Sequence, residues 1–209
     1  MRREASQLRF ASVELIPSKA LDAALRTLVR DLPEDVPVEV VTGSKEYPFH
    51  LTVLFTVISA HLSAEIGHRA VSAALSHCPC TVTFGRYRLF SDGSFVLLAD
   101  KNPEVSALHR DIVNLVRTLP RPPRKYLGEY FTRRERERFL KIGDPYALEH
   151  FVPHITLARF AEHVRMKDIG LEIPAPSRQF RFSELRVRVW SDETSVARTI
   201  VRCRLGKLS

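Results

Sequence analysis

Apolar positions along the chain fall into short runs that predict strands and into helically spaced sets that predict amphipathic helices. The first run, Leu8 to Ile16, predicts a strand that ends at Pro17, and Ser18 is placed to cap a helix over Lys19 to Arg30. The later pattern predicts, in order, a strand over Val38 to Thr42, a strand within 48–55, a helix over Ala60 to His77, a hairpin of Thr81 to Phe90 and Phe95 to Ala99, helices over Pro103 to Thr118 and Thr132 to Ile142, a strand within 152–160, and an antiparallel pair of Phe180 to Trp190 and Thr199 to Leu205. This succession predicts an α+β fold.

Two of the predicted strands carry the same polar pair. His50 and Thr52 lie in the first, and His154 and Thr156 lie in the second, each pair within an apolar run that follows a proline. Because side chains alternate along a strand, the histidine and the threonine of each pair share one face. A polar pair in an apolar strand costs desolvation energy unless it is hydrogen-bonded or faces a cleft. The repeated pair therefore predicts a functional site between the two strands, and two satisfied core histidines are the alternative.

The composition bounds the class of protein. A chain of 209 residues with 44% hydrophobic and 27% charged residues is typical of one soluble globular domain. The net charge of +8 favours a polyanionic partner such as RNA or a phosphate-bearing metabolite. Three cysteines without the usual metal-binding spacing predict reduced thiols and a cytoplasmic location. We expect neither secretion nor membrane insertion, because the pattern holds no signal peptide and no long apolar run.

The two motifs, His50-Leu51-Thr52-Val53 and His154-Ile155-Thr156-Leu157, resemble those of the two-histidine (2H) phosphoesterases, also called the RNA ligase/cyclic phosphodiesterase family. The opening run from Leu8 to Pro17 is similar to the first strand of that family, and the segment from Phe131 to Tyr146 resembles a lead-in of some bacterial members. The resemblance implies one bilobal, pseudo-symmetric domain over 1–209. Two antiparallel sheets are expected to face each other across a central cleft with helices outside, in pseudo-repeats of roughly 8–100 and 101–209.

The paired histidines suit acid and base catalysis on a phosphodiester. Histidine has an ordinary pKa of about 6.5, so one copy can be neutral while the other is protonated near neutral pH. One ring can deprotonate the nucleophile while the other protonates the leaving oxygen, which requires no metal and no cofactor. Thr52 and Thr156 are placed to donate hydrogen bonds to the non-bridging oxygens. The sequence leaves open which histidine is the base.

The predicted reaction is hydrolysis of a 2',3'-cyclic phosphate at the end of RNA or on a nucleotide, which gives a phosphomonoester. Alternative substrates are 2'-5' or 3'-5' linked oligoribonucleotides. A non-catalytic RNA-binding protein of the same fold is a second hypothesis, which the positive charge favours. A metal site that uses His150, His154 and another histidine is a third, although Pro153 argues against a helix there and no carboxylate lies at ligand spacing. We expect a monomer.

The resemblance also implies substrate-binding residues. Arg159 matches a family arginine expected to contact the phosphate, although strict alternation places it on the face opposite His154, so a bulge would be needed. Phe10 matches an aromatic residue that stacks on a base in the family, and it fits a core position equally well. Tyr47 and Tyr146 precede the two motifs and are placed to line the rim of the cleft. Two basic sets are candidates for phosphate attraction or for a solvated surface: Arg121, Arg124 and Lys125, and Arg133, Arg134, Arg136 and Arg138.

Overall fold

A computed structural model of the chain describes residues 8–34, 36–123, 127, 131–161, 164–169, 178–191 and 197–206. Within these residues the elements are β1 (Leu8–Ile16), α1 (Lys19–Arg30), β2 (Val38–Val41), β3 (Leu51–Ser59), α2 (Ser63–Leu75), β4 (Cys80–Leu89), β5 (Ser94–Ala99), α3 (Pro103–Val116), α4 (Arg133–Ile142), β6 (His154–Phe160), β7 (Arg178–Phe182), β8 (Glu184–Trp190) and β9 (Arg198–Arg204). The predicted bounds of β1 and α1 are confirmed to the residue.

The strands form two antiparallel half-sheets that meet at a single residue pair. Their order is β7-β4-β5-β6-β3-β1-β8-β9, and β2 lies beside the far end of β6. Between β3 and β6 the only pair in the described residues joins Leu51 and Ile155. Both side chains are fully buried. Because the two strands diverge from this point, a cleft opens between the half-sheets, as expected of the predicted fold class.

The strands of each half-sheet come from both halves of the chain. β1 and β3 lie with β8 and β9, whereas β4 and β5 lie with β6 and β7. The predicted pseudo-repeats of 8–100 and 101–209 therefore do not coincide with the half-sheets, and an internal repeat stays a prediction.

The single strand predicted over Phe180 to Trp190 is wrong, because the chain changes partner at Ser183. Phe180 and Phe182 belong to β7 and pack on Phe84 of β4, whereas β8 runs between β1 and β9. The apolar alternation changes phase at the break, because three positions separate buried Phe182 from buried Leu185. This change of phase is the signal in the sequence that a single strand over Phe180 to Trp190 overlooks.

The helices pack outside the sheet and begin at side-chain caps. Ser18 accepts a hydrogen bond from the amide of Leu21 at the start of α1, and Asn102 caps α3 in the same way. A capping box of Thr132 and Glu135 begins α4. Helices α2 and α3 cover the half-sheet that contains β3, and α1 packs against β6. The opposite face of the sheet is thereby left for the cleft.

Candidate active site

The pair of Leu51 and Ile155 fixes the arrangement of the two motifs. Each is the residue that directly follows the histidine of its motif, and antiparallel pairing then sets the histidine of one motif opposite the threonine of the other. In a regular antiparallel pair, residues directly opposite have Cβ atoms about 5 Å apart and diagonal neighbours lie about 7–8 Å apart. The charge of His50 acts on the pKa of His154, so the two rings are neighbours. Since Leu51 and Ile155 point into the core, the other face carries four polar side chains: His50, Thr52, His154 and Thr156.

A β-bulge directly after each threonine redirects the strand. Val53 in β3 and Leu157 in β6 are each an extra residue without a partner in the neighbouring ladder. The bulge returns the residue three positions after the threonine to the cleft face. That residue is Phe55 in the first strand and Arg159 in the second. The bulge that Arg159 needs in order to share the face of His154 is therefore present.

Each bulge exposes a carbonyl that takes a hydrogen bond from outside its ladder. The carbonyl of Val53 accepts a bond from Nδ1 of His109 at 2.5 Å. The carbonyl of Leu157 accepts bonds from the amide and the hydroxyl of Thr42, at 3.1 and 2.6 Å. A buried carbonyl left unpaired would be destabilising, so these donors stabilise the two bulges.

His50 and His154, the two catalytic candidates, each form an equivalent hydrogen bond with a backbone carbonyl. Nδ1 of His50 lies 2.8 Å from the carbonyl of Pro48, and Nδ1 of His154 lies 2.7 Å from the carbonyl of Val152. A carbonyl only accepts hydrogen bonds, so each Nδ1 carries the proton and donates it. The Nε2 atom of each ring is then free to accept a proton when neutral or to donate one when charged.

A buried carboxylate lies beside His50. Oε1 of Glu14 is 3.6 Å from Nε2 of His50, and its Oε2 accepts a hydrogen bond from Nε of Arg186 at 2.5 Å. Ser12 donates a further bond of 2.6 Å to Oε1. Burial alone would raise the pKa of Glu14, but His50, Arg186 and Ser12 together lower it below its ordinary value. Glu14 is therefore ionised near neutral pH.

Arg186 and Arg188 connect this carboxylate to the loop that precedes His50. Arg188 donates to the carbonyl of Glu46 at 2.9 Å and lies 4.0 Å from Glu14. The side chains of both arginines are about one-tenth exposed. Both lie on the cleft face of β8, in register with β1. This arrangement holds the backbone before the first motif against the sheet.

The surroundings of His154 differ from those of His50. The ring of Phe90 meets the His154 ring edge-on, with centroids 5.1 Å apart. Burial lowers the pKa of His154, and the neighbouring His50 acts in the same direction, while the carbonyl of Val152 and the carboxylate of Asp92 oppose the shift. His154 is therefore favoured in its neutral form.

Aromatic rings extend the cleft face beyond Thr52. Phe10 stacks on Phe55 and on Trp190, with centroids 5.9 and 5.7 Å apart. Phe55 also lies 6.4 Å from Tyr146. Phe10 is half-buried and lies on the same face of β1 as Glu14, which is the cleft face.

A cavity of about 370 Å³ lies between Phe55 and the loop before His154. It is lined mainly by β3, the turn after β4 and the segment from α4 to the second motif. The residues that matter for its chemistry are Thr52, His154, Phe55, Phe90, Tyr146, Asp92, Glu135 and Asp144. The cavity is therefore continuous with the two-histidine site.

Asp144 is a buried carboxyl group at the wall of this cavity. It accepts a hydrogen bond from the amide of Tyr146 at 2.7 Å. Burial raises its pKa to about 7, although the amides of Tyr146 and Phe55 and the charge of Arg138 act against the shift. Burial, together with Glu135 and Asp92, also raises the pKa of Tyr146 to about 12. The Tyr146 hydroxyl is therefore protonated.

His109 on α3 forms hydrogen bonds with the backbone near both motifs. Its Nδ1 donates to Val53, and its Nε2 accepts a hydrogen bond from the amide of Leu148 at 2.9 Å. The ring lies flat on Phe151, with centroids 4.0 Å apart. Burial lowers the pKa of His109, and the hydrogen bond to Val53 opposes this shift. The neutral ring fixes both the bulge beside Thr52 and the loop that leads to the second motif.

The predicted substrate-binding residues fall in different places. Phe10 and Tyr146 belong to the aromatic face described above, and Tyr146 borders the cavity. Tyr47 is exposed in the loop before His50 and is not among the residues that line the cavity. Arg159 reaches the cleft face, where its exposed side chain lies 3.6 Å from Glu39. Their roles in binding stay predictions.

The basic sets include residues with structural contacts. Arg121 donates to the carbonyls of Val116, Arg117 and Leu119 at and after the end of α3, and to the carbonyl of Ile142 at 3.0 Å, so it ties α3 to α4. Arg138 donates to the carbonyl of Pro145 at 2.7 Å. Arg124 and Lys125 lie outside the described residues.

Sequence reasoning missed several polar residues near the site: Glu14, Arg186, Arg188, His109 and Asp144. A signal existed for the first three. Glu14 is a charged residue between the apolar residues Val13 and Leu15, and Arg186 and Arg188 alternate with buried Leu185 and Val187. His109 occupies an apolar position of a helix, which by itself does not predict what the ring contacts.

Among the described residues, no three His, Cys, Asp or Glu side chains are grouped as metal ligands would be. In this part of the chain, His150 and His154 therefore have no third side chain with which they could hold a metal ion. The described helices are also too short or too polar to cross a membrane.

The fold is shared with solved bacterial structures. LigT of E. coli in its apo form gives a TM-score of 0.65 at 14% identity, over 96% of this chain and 99% of that one. The protein TT0787 of Thermus thermophilus gives a TM-score of 0.62 at 17% identity, over 96% of this chain and 100% of that one. The chain is thus a protein of the LigT-like α+β fold, and likeness at these identities shows the fold alone.

The family model of the 2'-5' RNA ligase superfamily matches residues 42–194, which is more than half of the chain and includes both motifs. The chain belongs to this superfamily, the two-histidine phosphoesterases. No curated protein matches its sequence. The membership confirms the family that the two motifs predicted.

Proposed function

We propose that the protein is a metal-independent phosphoesterase that hydrolyses 2',3'-cyclic phosphate ends of RNA or nucleotides and gives a phosphomonoester. The observation that carries this proposal is the convergence of the two His-x-Thr pairs on one cleft face, with both Nδ1 atoms bound to carbonyls and both Nε2 atoms available. A phosphate between the rings is then within reach of an acid and a base on opposite sides.

The surroundings of the two rings support different roles for them. His154, whose pKa is lowered by burial, takes a proton from the attacking water through Nε2. His50, whose Nε2 lies 3.6 Å from the ionised carboxylate of Glu14, donates the proton to the leaving ribose oxygen. One P–O bond forms to the water oxygen and one breaks, and each proton transfer contributes about 10²–10⁴ in rate.

Hydrogen-bond donors around the phosphate stabilise the charge that develops in the transition state. Within the described residues, the hydroxyls of Thr52 and Thr156 form no hydrogen bond to the protein, so both are available to non-bridging oxygens. Arg159 adds a positive charge on the same face. Loss of one such donor typically lowers kcat by about 10²–10³.

RNA or a nucleotide is the substrate class that other observations favour. The net charge of +8 attracts polyanions. LigT of E. coli, which shares the fold, forms crystalline complexes with 3'-AMP and with ATP. The free state of all three cysteines suits a cytoplasmic enzyme.

The test is turnover of 2',3'-cyclic AMP and of a short RNA with a 2',3'-cyclic end, both with a chelator present. We expect His50→Ala and His154→Ala to lose at least two orders of magnitude in kcat while folded. The matched control is His68→Ala, which removes an exposed histidine from α2. Circular dichroism of each variant checks the fold.

Three results would revise the proposal. If the protein cleaves only 2'-5' or 3'-5' linked oligonucleotides, the proposed substrate is wrong and the proposed two-histidine mechanism stands. Binding of RNA without any turnover would favour a non-catalytic role. Loss of activity with the chelator, restored by a divalent metal, would contradict metal independence.

A further inference from the structure

The sheet face that carries His154 continues across β5 and β4 to two exposed arginines. His154 pairs with Leu98 of β5, and Leu98 pairs in turn with Arg86 of β4. Paired residues of neighbouring strands lie on the same face, so Arg86 shares the cleft face with His154, two strands or roughly 10 Å away. Arg88 lies two positions further along β4 and is on this face as well. Both side chains are exposed.

A β-bulge at Gly85 turns these two arginines to the cleft face. Gly85 is an extra residue in β4, without a partner in the ladder with β5. Phe84, directly before it, is fully buried in the core. Strict alternation from Phe84 would also place Arg86 in the core, and the bulge reverses this placement. The bulge therefore acts like those of the two motif strands, since each changes which side chains face the cleft.

A third arginine extends this surface to the edge of the sheet. Arg181 lies on β7, which pairs with β4. Its neighbours Phe180 and Phe182 are buried, so the exposed side chain of Arg181 points away from the core. We call these three residues the arginine strip: Arg86, Arg88 and Arg181.

The positive charge of the arginine strip is not neutralised by the part of the protein that the structure describes. There, the three guanidinium groups form no hydrogen bond and no salt bridge. Asp100 lies beside Gly85, at the end of β5, but beyond ion-pair distance of the strip. By contrast, Arg186 on the other half-sheet is paired with Glu14. The strip is thus available to an external anion, and guanidinium groups suit phosphate because their donors match its oxygens.

Phe90 connects the arginine strip to the active site. The guanidinium group of Arg88 lies over the Phe90 ring, 5.4 Å from its centroid. The same ring meets the His154 ring edge-on, with centroids 5.1 Å apart. A cation over an aromatic face is attracted to it, so the ring helps to hold Arg88 in place. One aromatic ring thus separates a free cation from a catalytic candidate.

We propose that the arginine strip binds the backbone phosphates of an RNA strand whose terminal phosphate lies between the two histidines, so that RNA ends are preferred over free cyclic nucleotides. This inference rests on the proposed function for the position of the terminal phosphate. Two observations identify the occupant: the strip is complementary in charge to a polyanion, and its face is continuous with the phosphate site. Arginine contacts to phosphate hold a strand in register without reading its sequence. A mononucleotide has no second phosphate along the strand and gains nothing from the strip.

Binding of a short RNA that ends in a phosphomonoester tests the strip without any need for turnover. Fluorescence anisotropy of the labelled RNA gives its Kd at several salt concentrations. We expect the double variant Arg86→Ala/Arg88→Ala to bind this RNA about tenfold more weakly, as the loss of two exposed ion contacts implies. The slope of log affinity against log salt should become shallower by about 0.7 for each lost contact. Binding of 3'-AMP should not change.

Turnover and control variants show whether charge is the cause. We expect the double alanine variant to raise KM for RNA with a cyclic end and to leave kcat and the turnover of 2',3'-cyclic AMP unchanged. Arg86→Lys/Arg88→Lys keeps both charges and should retain most of the RNA affinity and its salt dependence. The matched control is Arg117→Ala, which removes an exposed arginine at the end of α3, a helix outside the sheet.

Failure of this inference is distinct from failure of the proposed function. The inference is wrong if the double alanine variant binds RNA with the affinity and salt dependence of the wild type. It is also wrong if binding of 3'-AMP weakens as much as binding of RNA, or if wild-type kcat/KM is no higher for RNA ends than for 2',3'-cyclic AMP. If RNA binding depends on the strip but no cyclic phosphate is hydrolysed, the strip stands as an RNA-binding surface and the catalytic proposal falls.

Discussion

Replacement of His109 by alanine tests whether one side chain holds both motifs in place. The variant leaves the carbonyl of Val53 and the amide of Leu148 without their partner, and each such loss costs about 1–3 kcal/mol. The flat contact with Phe151 contributes about 0.5–1.5 kcal/mol more. Because Leu148 is 42% exposed, water can replace part of its bond, and we expect a total loss of about 2–4 kcal/mol.

Denaturant unfolding with fluorescence detection measures this loss. Two variants restore one contact each: His109→Asn can donate to Val53, and His109→Gln can accept from Leu148. We expect intermediate stabilities for both. We also expect kcat of folded His109→Ala to fall at least tenfold, since small misplacements of catalytic groups are costly. A variant within about 1 kcal/mol of the wild type with unchanged kcat would refute the role assigned to this ring.

The pH dependence of the same variants gives an independent test. Burial lowers the pKa of folded His109 below its ordinary value of about 6.5, so the unfolded chain binds this proton more readily. Its contribution to stability is complete above about pH 6.5 and declines as the pH falls. The stability difference between wild type and His109→Gln should therefore shrink from pH 7 to pH 5. An equal difference at both pH values would contradict the assignment.

Two further predictions concern buried carboxyl groups. Since burial raises the pKa of folded Asp144 to about 7, its acid form stabilises the protein at low pH and that stability is lost as the pH rises through about 7. We therefore expect Asp144→Asn to raise the free energy of unfolding at pH 8 by up to about 4 kcal/mol and to leave it unchanged at pH 4. The same change in the free energy of unfolding at both pH values would contradict this expectation. Glu14→Gln removes the anion from buried Arg186 and should cost about 3 kcal/mol. Denaturant unfolding measures this loss, and a Glu14→Gln variant as stable as the wild type would contradict the role of Glu14 as the counter-charge of Arg186.

The sequence predicted most of the helices and strands, because the residues that begin and end them act over a few neighbouring positions. The proline after β1, the serine before α1 and the threonine before α4 act within one turn, and the structure reproduces the bounds that they implied. The break at Ser183 was missed although the apolar positions change phase there, and only the identity of the new partner strand depends on distant contacts. A two-residue period of apolar positions shows which side chains are buried, but it does not show which strands pair with each other.

The sequence predicted those site residues whose side chains alternate regularly between the two faces of a strand. His50 with Thr52 and His154 with Thr156 do obey it, whereas Arg159 lies beyond a bulge that the sequence does not mark. Bulges depend on donors from elsewhere in the fold, such as His109 and Thr42 here. Contacts of this kind join residues far apart in sequence, so one sequence alone could not reveal them.

The two halves of the site share their backbone and differ in their neighbours. Both motifs have the same carbonyl contact at Nδ1 and the same bulge after the threonine, so two equivalent rings lie on one cleft face. Acid and base catalysis nevertheless requires the two rings to hold different numbers of protons.

The side chains around the common backbone supply this difference. Glu14 places an anion next to His50, while burial and the edge of Phe90 surround His154. The bulges add a second asymmetry, because the equivalent positions carry an aromatic ring in Phe55 and a cation in Arg159. One end of the cleft face is thus aromatic and the other carries a cation.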